Sequence, residues 1–109
     1  MNDNQPLQIR DVIGEIKKLV ARDRFRFSKH AIERQVQRSI HPHDALYVLT
    51  NGVHEKKKTS FDPVFHTWKY AVRGKTEDGV DIRVIVALVS EMIIITVIRL
   101  TKKKYRRKL

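Results

Sequence analysis

His30, Arg34 and Arg38 recur at four-residue spacing within SKHAIERQVQRSI, which on a helix sets an imidazole and two guanidiniums on one line. Such a row has a definite chemistry. A neutral imidazole can take the proton of a ribose 2′-hydroxyl, while fixed cations stabilise the negative charge that grows around phosphorus in the transition state. An arginine one turn from the histidine favours the neutral imidazole by charge repulsion. The same spacing also suits a capping or buried histidine beside two solvated arginines.

A second set lies in WKYAVRGKTEDGVDIRVIVAL, which reads as two strands around a KTEDG turn. With Gly74 and Val80 as flanking partners, Arg73 falls opposite Asp81, Ala71 opposite Arg83, and Lys69 opposite Ile85, all on one face. Trp68, Tyr70, Val72, Ile82, Val84, Val86 and Leu88 then form the other, apolar face, with Trp68 buried under helices. Asp81 neutralises only part of the Lys69, Arg73 and Arg83 cluster, so this face is either a phosphate site or an ordinary solvated sheet face. Arg99 takes either face, depending on a bulge at Ser90 and Glu91.

His41, His43, His54 and His66 invite a metal-site reading together with His30, but no carboxylate follows at ligand spacing, and His41 and His43 suit a helix entry around Pro42. With no cysteine, thiolate zinc sites, disulfides and cysteine nucleophiles are excluded. No phosphate-cradling glycine motif or nucleophile elbow is present. No metal and no cofactor is expected.

The chain carries 23 Lys+Arg against 12 Asp+Glu in 109 residues, a net charge of +11. Six of these cations, Lys102, Lys103, Lys104, Arg106, Arg107 and Lys108, lie in the last nine residues, TKKKYRRKL, which form either a solvated end or a phosphate-contacting arm. The surplus points to a polyanionic partner such as RNA. The start is polar and the longest apolar run is broken by Ser90 and Glu91, which predicts neither leader peptide nor membrane span and suits a cytoplasmic domain.

The elements that must position these groups are legible from periodicity. Ile9, Val12, Ile13, Ile16, Leu19 and Val20 predict a helix over about 7–21; Phe25 and Phe27 a short extended link; Ser28 the N-cap of a helix reaching Arg38. Pro42 opens a third helix that runs to Asn51, where Gly52 can take a left-handed cap. From there the period becomes two, predicting strands at about 53–59, 67–74, 80–89 and 92–100. The expectation is one α+β domain over 1–100, with N-terminal helices packed on one face of a four-stranded antiparallel sheet, and a basic tail over 101–109.

SKHAIERQVQRSI, HPHDALYVLTNG, WKYAVRGKTEDGVDIRVIVAL and EMIIITVIRL together resemble an uncharacterised bacterial family related to the RelE-like and BrnT-like toxins of toxin-antitoxin pairs. The resemblance runs from Ser28 to Leu100. It implies a RelE-like fold, an mRNA endonuclease, and an antitoxin partner, in some relatives a zinc-finger protein of the MqsA type. His30, Arg34 and Arg38 are the motif carried over, and Tyr105 stands where some relatives place a C-terminal aromatic near substrate. The expected function is a metal-independent endoribonuclease toxin with His30, Arg34, Arg73 and Arg83 catalytic, and Arg38, Lys69, Arg99 and the tail binding RNA. Two other classes share the basic face: a non-catalytic RNA-binding or ribosome-associated module, and an interaction module docking an acidic protein.

Overall fold

The computed structural model describes residues 5–101. Three helices, α1 (Val12–Ala21), α2 (Lys29–Gln37) and α3 (Pro42–Asn51), accompany six strands: β1 (Phe25–Phe27), β2 (Val53–His54), β3 (Ser60–Asp62), β4 (Thr67–Lys75), β5 (Asp81–Leu88) and β6 (Met92–Arg99). The sheet order is β1-β6-β5-β4-β2, with β3 also on β4. β1 runs parallel to β6, whereas all the other pairs are antiparallel.

The expected four-stranded antiparallel sheet is therefore corrected to a six-stranded mixed one. Two local causes account for the difference. The supposed link Phe25–Phe27 pairs with Met92–Ile94, because β6 offers an unpaired edge there. The supposed long strand at 53–59 splits, because Lys56–Lys58 form a 3₁₀ turn that leaves all three lysines exposed, and pairing resumes at Ser60. Thr59 holds the gap closed: its Oγ1 accepts from the Ala71 amide at 3.2 Å while Glu55 N–H donates to the Ala71 carbonyl at 2.8 Å.

The helices do not share one sheet face as a layer either. α3 packs on β4 and β5, α1 rests chiefly on α3, and α2 lies against β6 and β1. Ser28 N–H donates to Ile94 O at 2.9 Å, Ser28 Oγ to Ile95 O at 3.0 Å, and the Arg38 guanidinium to Val97 O, so α2 and its caps satisfy the β6 edge beyond β1. One core joins Ile16, Ala31, Val48 and Leu49 to Tyr70, Val72, Val84, Val86, Ile94 and Val97.

Local signals explain the helix ends. Ser28 Oγ accepts from Ala31 N–H at 3.0 Å, and Asp44 reaches back to His41 N–H at 3.0 Å. α1 starts later than its apolar spacing implies because Asp11 caps it, accepting from Gly14 N–H at 2.9 Å. Gly52 is not a left-handed cap: its φ is −88°, and it is small because a Cβ would stand 2.5 Å from Arg73 O and 2.7 Å from Val48 O. The end of α3 thus sits directly on β4.

The β4–β5 register differs from expectation by two residues. The tight turn spans Thr76–Val80, closed by Thr76 N–H to Val80 O at 2.9 Å with Gly79 at φ 83°, so Lys75 pairs with Asp81 and Arg73 with Arg83. A two-residue slip preserves faces but changes partners. Ala71 pairs with Ile85 and Lys69 with Ala87. The bulge lies not at Ser90 and Glu91 but at Ile95, opposite Ile85/Val86, and it brings Arg99 beside Ile82 on the core side of the sheet. Trp68 also departs from expectation: it is half-buried at the core's margin, its Nε1 donating to Pro6 O at 2.7 Å and its ring edge-on to Phe61 at 5.2 Å.

Candidate functional site

Register partnership sets Arg73 and Arg83 face to face across neighbouring strands, an arrangement that repels unless acids intervene. Glu55 intervenes. Arg83 Nε donates to Glu55 Oε1 at 2.5 Å and its Nη2 to Oε2 at 3.2 Å, while Arg73 Nη1 lies 3.7 Å from the same carboxylate. Arg73 also forms a two-pronged bond to Asp81, at 3.1 and 2.6 Å. Two guanidiniums thus meet two carboxylates. The Arg83 bond holds the Glu55 carboxyl below its ordinary range, the Arg73 bond does the same for Asp81, and Asp81 in turn raises Arg73. Lys69, at the other end of β4, lies 3.9 Å from Asp62.

The anion site expected on this face is therefore filled from within. Glu55 is the residue that sequence reasoning missed. Its only visible trait was being the acid before three lysines, and its partnership depends on the β2–β4 pairing, which no short-range signal reveals.

On α2 the expected row forms. Arg34 Nε donates to His30 Nε2 at 3.3 Å and Arg34 Nη1 to Gln37 Oε1 at 2.7 Å. The guanidinium can only donate, so Nε2 is the acceptor of this pair. Arg38 follows one turn later, with its guanidinium on Val97 O, and Arg99 Nη1 donates to Arg38 O at 3.1 Å. Arg99 joins the row because the Ile95 bulge directs it to this side. Its Nε is buried without a hydrogen-bond partner.

These guanidiniums differ from Arg73 and Arg83 in one decisive respect. Arg34, Arg38 and Arg99 are each half-buried, and among the described residues none lies within 4.0 Å of a carboxylate oxygen. Helix-end carbonyls and the β6 edge account for part of this placement. They do not neutralise three charges.

His30 and Arg34 do not join Arg73 and Arg83 in one constellation. α2 packs at the β6–β1 edge, β5 and β4 lie one and two strands inboard, and among the described residues no hydrogen bond links the two groups. The remaining histidines disperse. His43 pairs with Glu77 at 3.0 Å, His54 bonds Thr59 Oγ1 at 2.8 Å, and His66 stands at φ 52° edge-on to Phe61. Burial, aided by nearby Lys56, holds the His54 imidazole below its ordinary pKa. No cluster of three metal-ligating side chains occurs among the described residues. Lys102, Lys103, Lys104, Tyr105, Arg106 and Arg107 lie outside the described residues.

Fold and site together define an α+β domain with a mixed sheet, one of whose edges is closed by a helix bearing a cationic row that no carboxylate compensates among the described residues. No helix among the described residues is long and apolar enough to cross a membrane. The chain belongs to the family DUF4258, described as a domain of unknown function, whose model matches residues 27–99. The match spans the last residue of β1 through the end of β6, including the whole α2 row and Arg99, and leaves out α1. No curated protein and no solved structure matches the chain.

Proposed function

We propose that this protein is a cytoplasmic toxin of a toxin-antitoxin pair, a metal-independent endoribonuclease that cleaves mRNA, on or off the ribosome, and is held inactive by an antitoxin. One observation carries the reading: Arg34 and Arg38 share a helical stripe with an imidazole whose Nε2 is an acceptor, Arg99 adjoins them at the Arg38 carbonyl, and these three half-buried guanidiniums have no carboxylate partner among the described residues. Uncompensated, partly desolvated cations are unfavourable in the free protein and become favourable when phosphate arrives. In this reading Arg34 turns from His30 to the scissile phosphate, freeing Nε2. His30 then takes the 2′-hydroxyl proton, the 2′-oxygen attacks phosphorus, and the 5′-oxygen leaves with a proton from water. A 2′,3′-cyclic phosphate results. Arg38 and Arg99 hold the neighbouring charge. Arg73 and Arg83, paired with Glu55 and Asp81, become scaffold.

The test incubates the full chain with a labelled single-stranded RNA and analyses product ends. Cyclic phosphate ends are expected, with His30→Ala losing about 10²–10⁴ in rate and Arg34→Ala a comparable factor, both melting like the parent because His30 is exposed and Arg34 bonds only within its own helix. Undiminished cleavage by His30→Ala, or loss of cleavage with EDTA, refutes this chemistry. Growth arrest on expression, relieved by the product of the adjacent gene, tests the antitoxin. The occupied state of Arg73 and Arg83 favours a second reading, an RNA-binding module without cleavage. Salt-dependent RNA binding with intact product would select it.

A further inference from the structure

The sheet face opposite the core carries a groove of about 470 Å³ at the β1–β6 end, within the size range of small-ligand sites. Its floor is Ala87, Ile93 and Ile95, and its rims bear Arg26 and Lys69 on opposite sides. Phe65 and Val89 flank it, 77% and 53% exposed. The exposure of Phe65 is built in. Asp62 Oδ1 accepts from the Val64 and Phe65 amides at 2.9 and 3.3 Å, locking the turn after β3 so that the ring stands in solvent. Ser28, the N-cap of the helix that carries His30, closes one end of the groove.

A flat aliphatic floor, one held-out aromatic ring and a cation on each side match what a single-stranded nucleic acid offers: a base with a π-face and phosphates to either side of it. Arg26 and Lys69 each have one acidic neighbour, Glu91 at 3.2 Å and Asp62 at 3.9 Å, and their side chains stay 58% and 35% exposed. Both cations therefore remain reachable. An acidic protein segment is the rival occupant, but the held-out Phe65 ring over an aliphatic floor, on which a nucleobase stacks and a carboxylate does not, favours RNA.

We propose that this groove is the base-binding part of an RNA site, in which Phe65 stacks on one nucleobase over the Ile93 and Ile95 floor while Arg26 and Lys69 receive the flanking phosphates. The assignment rests on the RNA reading above and adds where bases are held.

The experiment measures fluorescence anisotropy of the full chain with two probes, hexa-adenylate RNA and an abasic hexamer of the same ribose-phosphate backbone, over a salt series. Hexa-adenylate is expected to bind about 5- to 150-fold tighter, the worth of one stacked base. Phe65→Ala should erase that gap and leave abasic binding and its salt slope in place, and Phe65→Trp should restore it. The Arg34→Gln/Arg38→Gln double variant should weaken both probes, flatten the slope by about 0.7 per lost phosphate contact, and keep the gap. Equal affinity of the parent for the two probes overturns the groove assignment while the RNA reading stands. No binding of either probe at low salt overturns both. A fall in the free protein's solution mass with Phe65→Ala, both affinities unchanged, marks the groove as a protein contact and also overturns the proposal.

Discussion

Replacing Arg83 by leucine discriminates sharply between an anion site and a scaffold. On the sequence alone, removing one of several crowded cations should leave stability unchanged or raise it. The structure reverses that expectation. The Arg83 and Glu55 side chains are 14% and 18% exposed and share two bonds, so the pair lies between a solvent pair worth about 0–1 kcal/mol and a fully buried one whose breakage costs about 3–5 kcal/mol. Charge-assisted bonds of this kind contribute about 1.5–3 kcal/mol, and Arg73, 3.7 Å from the stranded Glu55 carboxylate, recovers a fraction. A loss of about 2 kcal/mol follows, or about 8–16 °C in Tm for a domain of this size. The deficit depends on pH with a definite sign. Glu55 is depressed in the folded state, chiefly by the Arg83 bond, so its contribution is complete above the unfolded glutamate pKa of about 4.3 and is lost as pH falls through the lower folded value. Melting of parent and Arg83→Leu at pH 7 and near pH 3 should therefore show a wide gap at the first and a narrower one at the second. A neutral or stabilising Arg83→Leu at pH 7 would refute the scaffold assignment and return Arg83 to the site.

Trp68→Ala should destabilise by about 2–3 kcal/mol, toward the low end for large aromatics because the ring is half-buried, and acrylamide should quench its fluorescence to an intermediate degree. Gly52→Ala should destabilise by about 1–3 kcal/mol in urea unfolding, since the new Cβ meets backbone oxygens of Arg73 and Val48 that cannot yield; a neutral result would mean α3 is not seated on β4. His54 is held neutral by burial, so its contribution is present above about pH 6.5 and declines as pH falls below that. His54→Gln should flatten the stability profile there, and proton NMR should place the His54 titration below the ordinary histidine value.

What the sequence made legible is what is local. Ser28, Pro42 and Gly79 act within a few residues, so α2, α3 and the β4–β5 turn region are found where their spacing predicts them. Period-two alternation likewise assigned the faces of β4 and β5 correctly, because a slip of two residues leaves each side chain on its own face. Strand partnership was not legible. β1 has only three residues and pairs with a strand more than sixty positions away, and the break in pairing between β2 and β3 is held by the Thr59 hydroxyl, which has no period to announce it. Arg99 joined the α2 row through the Ile95 bulge, whose position is set by how β5 and β6 accommodate each other and not by turn residues.

The placement of acids then separates cations that resembled one another in the sequence. Glu55, Asp62, Asp81 and Glu91 all lie beside cations of the sheet or its edge strand, and the two-pronged bonds of Glu55 and Asp81 hold Arg83 and Arg73 in a defined pose. No acid is placed against Arg34, Arg38 or Arg99 among the described residues, although Arg38 and Arg99 are fixed just as firmly, by carbonyls. Carbonyls orient a guanidinium through its N–H groups without cancelling its charge. Positioning and neutralisation are thus supplied separately in this fold. At Arg73 and Arg83 they coincide, which is what a scaffold requires, whereas on α2 only positioning is supplied, which leaves the charge for a ligand.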